Sequence, residues 1–245
     1  MLVTAAAPAL ASASNGTGGS APISPVTAAT PTATAPARAK VVLAPITAPT
    51  PNIAYHGPVY VKTASGAIVP YVPNATTTTV GEISVNGGLA IGTENISEGK
   101  PDLLVPGSRA RYVNGLAAAP MAAPAVIQQI IWTGNQIIGL PYIYGGGHAS
   151  FTSPGYDCSG TVSFALHGGK LLETPEDSTE FESFGSHGAG RWISIFANAG
   201  HAYMTVAGLR LDTSSADDPS NQQGPRWRPL RPANEGFVVR HPLGL

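Results

Sequence analysis

His201-Ala202-Tyr203-Met204-Thr205-Val206-Ala207-Gly208-Leu209-Arg210-Leu211-Asp212-Thr213 reads as a β-hairpin, with strands over His201 to Val206 and Leu209 to Thr213 joined at Ala207-Gly208. A two-residue turn there pairs Val206 with Leu209, Thr205 with Arg210, Met204 with Leu211 and Tyr203 with Asp212, and sets His201 opposite Ser214. Side chains alternate between the faces of a strand, so His201, Tyr203 and Asp212 share one face, with Asp212 diagonal to His201 and Thr213 on the other side. A carboxylate so placed can accept the second ring N–H of His201, fix its tautomer and stabilise its imidazolium. It can equally cap the turn that follows, Thr213-Ser214-Ser215.

Upstream, Ile127, Ile130, Ile131, Gly134 and Ile138 recur at the spacing of a helix that buries one face. Gly139 is placed to end that helix, and Pro141 prevents its resumption. A glycine turn follows, Pro141-Tyr142-Ile143-Tyr144-Gly145-Gly146-Gly147, which lets the backbone approach a cleft. Then comes Asp157-Cys158-Ser159-Gly160, holding the only cysteine of the chain. Thr161 to His167 reads as a short helix with Cys158 in its first turn. The partial positive charge of peptide N–H groups at a helix start favours a thiolate. After a polar loop from Glu173 to Gly190, strands are expected over Trp192 to Phe196, the hairpin, and Gly236 to Arg240. A cysteine-bearing helix followed by antiparallel strands is an α+β arrangement.

A reactive thiolate needs a base. His167 lies half a turn out of phase with Cys158, at roughly 100° per residue of helix. His56 and His241 sit in weakly patterned terminal segments, and His148 and His187 in glycine-rich loops where a solvated side chain is expected. His201 opens a strand after Asn198-Ala199-Gly200, so a sheet positions its ring. A neutral imidazole there can take the thiol proton and return it to a leaving amine.

Composition bounds the rest. Residues 1–51 are almost entirely Ala, Pro, Thr, Ser and Gly, with Arg38 the first charge, and read as a Pro-stiffened tail or linker. Its first residues, Leu2 to Ala13, read either as the end of a secretory signal peptide with a cleavage pattern at Ala11 and Ala13, or as plain linker. Residues 52–118 carry short strand patterns at Tyr55 to Tyr60 and Ala67 to Val72, then Thr76 to Thr79 and several glycine turns. A small β-rich prodomain, an extended arm and disorder are all compatible with this composition, and large hydrophobes are too few to favour an independent fold. Residues 119–245 form the catalytic domain of this reading. The net charge of −1, without a basic run, argues against nucleic acid as a partner. No apolar run approaches the roughly 18 residues that span a bilayer. A lone cysteine excludes an internal disulfide, no zinc-site spacing is present, and no G-K-[ST] follows the glycine turn as in a phosphate loop.

From about residue 122 onward the chain resembles the NlpC/P60 family of cell-wall cysteine peptidases. The resemblance rests on Gly139-Leu140-Pro141-Tyr142-Ile143-Tyr144-Gly145-Gly146, on Tyr156-Asp157-Cys158-Ser159-Gly160 and on Gly200-His201-Ala202-Tyr203-Met204. Family members usually read G-x-P-Y-x-W/Y-G-G, F-D-C-S-G and H-V-G-I-Y in this order. The resemblance implies a papain-like fold in which the cysteine helix packs on an antiparallel sheet bearing the histidine. It implies a secreted or envelope enzyme that cleaves peptidoglycan stem peptides, commonly between D-glutamate and a diamino acid, through a thioester and without metal or cofactor. Cys158 is then the nucleophile, His201 the base, Tyr142 the neighbour of the oxyanion, and Asp157 and Ser159 contacts for the amino end of the stem peptide.

The chain departs from the family pattern in three places. About four extra residues lie within 147–154, and Thr174-Pro175-Glu176-Asp177-Ser178 is an acidic stand-in for the L-P-R-x-S-x-Q segment. The third catalytic position falls on Thr213 with the family's longer turn and on Asp212 with the two-residue turn read here. Two further functions are compatible with these residues: a wall-associated binding protein without activity, and an amidase, deamidase or transpeptidase sharing the thioester.

Overall fold

Ala207 and Gly208 both have positive φ, 48° and 95°, the backbone of a two-residue hairpin turn whose twist suits the flanking strands. The pairing that follows, Val206 with Leu209, Thr205 with Arg210 and Met204 with Leu211, is the register expected from the sequence. A computed structural model describes residues 55–73, 99–218 and 220–245. The expectations for residues 1–51, for Thr76 to Thr79 and for the glycine turns at Gly87-Gly88 and Gly92 lie outside the described residues.

The strands are β1 (Tyr60–Lys62), β2 (Ile68–Pro70), β3 (Asp102–Val105), β4 (Arg111–Val113), β5 (Leu116–Pro120), β6 (Ser186–His187), β7 (Ile193–Asn198), β8 (His201–Val206), β9 (Leu209–Asp212), β10 (Arg226–Arg228) and β11 (Val238–His241). The helices are α1 (Ala125–Ile137), α2 (Cys158–Gly168) and α3 (Ser178–Phe181). One sheet has the order β2-β1-β3-β5-β4, and the other β10-β9-β8-β7-β11-β6. The second sheet is antiparallel throughout, whereas β3 and β5 of the first run parallel. The chain is therefore of mixed α+β character, with its cysteine on a helix.

Helix α1 buries Ile127, Ile130, Ile131 and Gly134, the apolar stripe seen in the sequence. Gly134 packs tightly, because a Cβ there would stand 3.0 Å from Trp227 and 3.2 Å from Leu211 and would push these neighbours aside. The α1–α2 contact is closer still: a Cβ on Gly168 would come 2.0 Å from Thr133 Oγ1. Val162, Ala165 and Leu166 of α2 join Ile195, Ala202, Met204 and Leu211 of the sheet in one core. This packing sets α2 against β8 and β9.

The strands of the first sheet were only partly anticipated. Pro58 lacks a backbone donor, and β1 starts after it, at Tyr60 rather than Tyr55. Strands β3, β4 and β5 carry no clear strand pattern, and the run Leu116-Ala117-Ala118-Ala119-Pro120 has low β propensity. Tertiary partners decide it. Asn135, fully buried on α1, donates to Ala117 O at 2.9 Å, and its Oδ1 accepts Ala117 N–H at 2.9 Å and Trp227 Nε1–H at 2.8 Å. Trp132 Nε1 donates to Leu103 O at 2.9 Å. Leu104, Ala110, Ala117 and Ala119 enter the main core, while Leu103, Val105, Val113 and Ala118 form a second small cluster. All described residues fall in one compact unit, and residue 118 lies inside β5.

The expected polar loop from Glu173 to Gly190 also holds the short α3. Asp177 accepts from the N–H groups of Thr179 and Glu180, and Glu180 returns a bond to Asp177 N–H, a capping box legible as Asp177-Ser178-Thr179-Glu180. Asn135→Ala leaves three buried backbone or indole groups without partners, and at about 1–3 kcal/mol per group the loss should reach several kcal/mol. Urea denaturation should show a clearly lower midpoint, and an unchanged midpoint contradicts the role given to Asn135.

Candidate active site

Helix α2 begins at Cys158, so the thiol sits on its first turn, with Asp157 as N-cap. The Asp157 carboxylate accepts Gly160 N–H at 2.8 Å through Oδ1 and Gly145 N–H at 3.0 Å through Oδ2. It thereby fastens the glycine turn to the helix start. The glycines allow this contact: Gly146 and Gly147 are buried, and a Cβ on Gly160 would lie 2.0 Å from Gly146 O.

The Cys158 thiol lies against the His201 ring and the Ala202 N–H at the start of β8. Burial pushes the thiol pKa up, but the interactions with these two groups and the imidazolium charge outweigh it, and the net displacement is below the ordinary thiol value. Asn198 Oδ1 accepts the N–H groups of Gly200 and His201 at 3.0 and 2.9 Å, which fixes how β8 starts. His201 Nε2 stands 2.9 Å from Asp212 Oδ1, so Nδ1 is the nitrogen left for the thiol. For His201, burial works against the charged ring. The bonds to Asp212 and Cys158 and their negative charges prevail, and its pKa is raised to about 9.

Asp212 fulfils both roles that the sequence left open. Its Oδ1 accepts from His201 and also from Ser214 N–H at 2.9 Å, capping the turn after β9. Thr213, expected in the strand, lies just past the end of β9 and is buried. The His201 ring is flanked by Tyr203, at 6.1 Å between centroids, and by Phe237, edge-on at 6.3 Å.

Tyr142 is 42 % exposed at the rim, and its phenol pKa is raised by partial burial and by the charges of Cys158 and Asp157. Asp157 and Ser159, expected as contacts for a substrate, are 6 % and 3 % exposed and direct their polar atoms inward. Their partner is His148, which does not stand in solvent as its glycine-rich setting suggested. His148 Nε2 lies 3.0 Å from Asp157 Oδ1 and 3.1 Å from Ser159 Oγ. Ser159 Oγ also donates to Asp157 Oδ1 at 3.4 Å, which closes the cluster on itself. It braces the loop before the helix. His167 stacks on Phe151 at 3.8 Å and bonds Leu172 O through Nδ1, away from the thiol. Among the described residues no group of three or more His, Cys, Asp or Glu side chains is arranged to hold a metal ion, and no helix is long and apolar enough to cross a membrane.

The His201 ring should stay protonated through neutral pH, losing its proton near pH 9, and its charge favours the thiolate of Cys158. Asp212→Asn removes a main support of the charged ring and should move that titration toward about 6.5, the ordinary histidine value. The shift of the His201 ring-proton NMR signal with pH measures this directly. An unmoved midpoint contradicts the part assigned to Asp212.

Comparison of the chain with protein-family models, with curated proteins and with solved structures found no match.

Proposed function

We propose that the protein is a secreted or envelope cysteine peptidase of the NlpC/P60 kind, with a papain-like catalytic arrangement, that hydrolyses peptide bonds in peptidoglycan stem peptides. One observation carries this reading: a helix-start thiol set against a histidine whose Nε2 is held by a buried carboxylate. The three motifs around Tyr142, Cys158 and His201 supply the substrate class by resemblance.

The chemistry follows from the geometry. The Cys158 thiolate attacks the amide carbon, and the carbonyl electrons move onto oxygen. The Cys158 N–H, in a first helical turn that lacks intrahelical acceptors, and the Tyr142 hydroxyl are the donors for that oxyanion. The His201 imidazolium gives its proton to the departing amine as the C–N bond breaks, leaving a thioester. His201, now neutral, takes a proton from water, whose oxygen adds to the thioester carbon, and Cys158 leaves as thiolate. Throughout, Asp212 holds the ring tautomer and balances the imidazolium charge.

Purified muropeptides incubated with the protein and read by mass spectrometry should show stem peptides cut at one amide bond. Cys158→Ala and His201→Ala should each lower turnover by at least about 10³-fold, as removal of a nucleophile or its base does. Cleavage by Cys158→Ala at the wild-type rate would sink the proposal. Products joined to an added amine would instead identify transfer to an acceptor other than water.

A further inference from the structure

Arg210 lies on β9 between Leu209 and Leu211, two side chains that enter the main core. With a period of two it shares the face of Asp212, and it is fully buried. A buried guanidinium is costly unless it is paired. Its Nη2 donates to Ala216 O at 2.7 Å, its guanidinium lies 5.9 Å from the Tyr203 ring centroid, and its Nη1 stands 3.1 Å from Asp212 Oδ2. That last approach is ionic rather than a directed bond, and neither atom has a hydrogen-bond partner among the described residues.

Asp212 therefore has two unequal oxygens. Oδ1 takes two N–H donors, from His201 and Ser214, whereas Oδ2 faces only a cation. The groups around this carboxylate are His201 and Tyr203 on β8, Arg210 on β9 and Arg228 on β10, whose Nε donates to Asp212 O at 3.2 Å. We propose that Arg210 is a positioning residue for the base: its guanidinium holds the far oxygen of Asp212, so that the near oxygen stays a carboxylate acceptor aimed at His201. Without that cation, half of a solvent-free carboxylate has no counter-charge, and the group gains by rotating. That change withdraws support from the ring that faces Cys158. The consequence for turnover rests on the peptidase reading, but the consequence for the thiol does not.

The test is alkylation of Cys158 by iodoacetamide across pH, with stem-peptide turnover measured alongside, for Arg210→Met, Arg210→Lys, Asp212→Asn and the double variant Arg210→Met/Asp212→Asn. Arg210→Met should lower the alkylation rate at pH 6.5 about tenfold and move its onset up toward the ordinary thiol value of about 8.5. Arg210→Lys, which keeps the charge, should recover most of that rate. The double variant should be no slower than Asp212→Asn alone, because a residue acting only through Asp212 has nothing left to position. It also removes both buried charges, so the comparison stands if Arg210→Met alone does not fold. A folded Arg210→Met with the wild-type alkylation profile overturns the proposal, as do losses that multiply in the double variant. Muropeptides left intact by the wild-type protein, with the alkylation pattern as expected, reject the substrate class and leave the positioning role standing.

Discussion

Strand register at the Ala207-Gly208 turn governs both the core and the chemistry of this protein. Slipping β9 by one residue against β8 would exchange the faces of Leu209 and Leu211 with those of Arg210 and Asp212. Two charged side chains would then enter the main core, and Thr213 rather than Asp212 would sit beside His201. The apolar pattern and the charge pattern therefore penalise the same error. The turn itself is anchored, since Ala207 N–H donates to Trp192 O at 2.8 Å and Ala207 O accepts Ala110 N–H at 2.9 Å.

Two carboxylates divide the work around the thiol. Asp157 is saturated by backbone N–H groups and by His148, and it binds the helix start to the glycine turn beneath Tyr142. Asp212 is held from the other side, its Oδ1 by two N–H donors and its Oδ2 by the charge of Arg210, and fixes the histidine. Cys158 stands between these two braced elements, with few degrees of freedom left to its neighbours. Such preorganisation matters because a nucleophile and base held in place need no rearrangement when charge develops.

Much of this was legible in the sequence, and for identifiable reasons. Helix α1 declared itself by its isoleucine spacing, and the hairpin by two strand patterns flanking Ala-Gly. Each is a local signal confined to a short stretch. Arg210 was legible in principle, since an arginine two residues before Asp212 on the same strand must share its face. The capping box of α3 was likewise present in Asp177 and Glu180. Nothing local marked β5, where an alanine run became a strand because Asn135, eighteen residues on, completes the hydrogen bonding of Ala117. Nor did anything near His148 reveal that its ring folds back onto Asp157 and Ser159.

The sequence by itself determined the α+β order of elements, the pairing of β8 with β9, and the identity of Cys158, His201 and Asp212 as a possible set. These follow from periodicity and turn chemistry, which act over a few residues. Only the tertiary structure decided that the thiol and the ring meet, that Asp157 and Ser159 are consumed inside the protein, and that Arg210 faces the second oxygen of Asp212. Those outcomes depend on the close approach of α1 and α2 at Gly168 and on the packing of α2 against the sheet. Contacts between distant segments arise from burial and the satisfaction of polar groups in three dimensions, and no short stretch of chain encodes them.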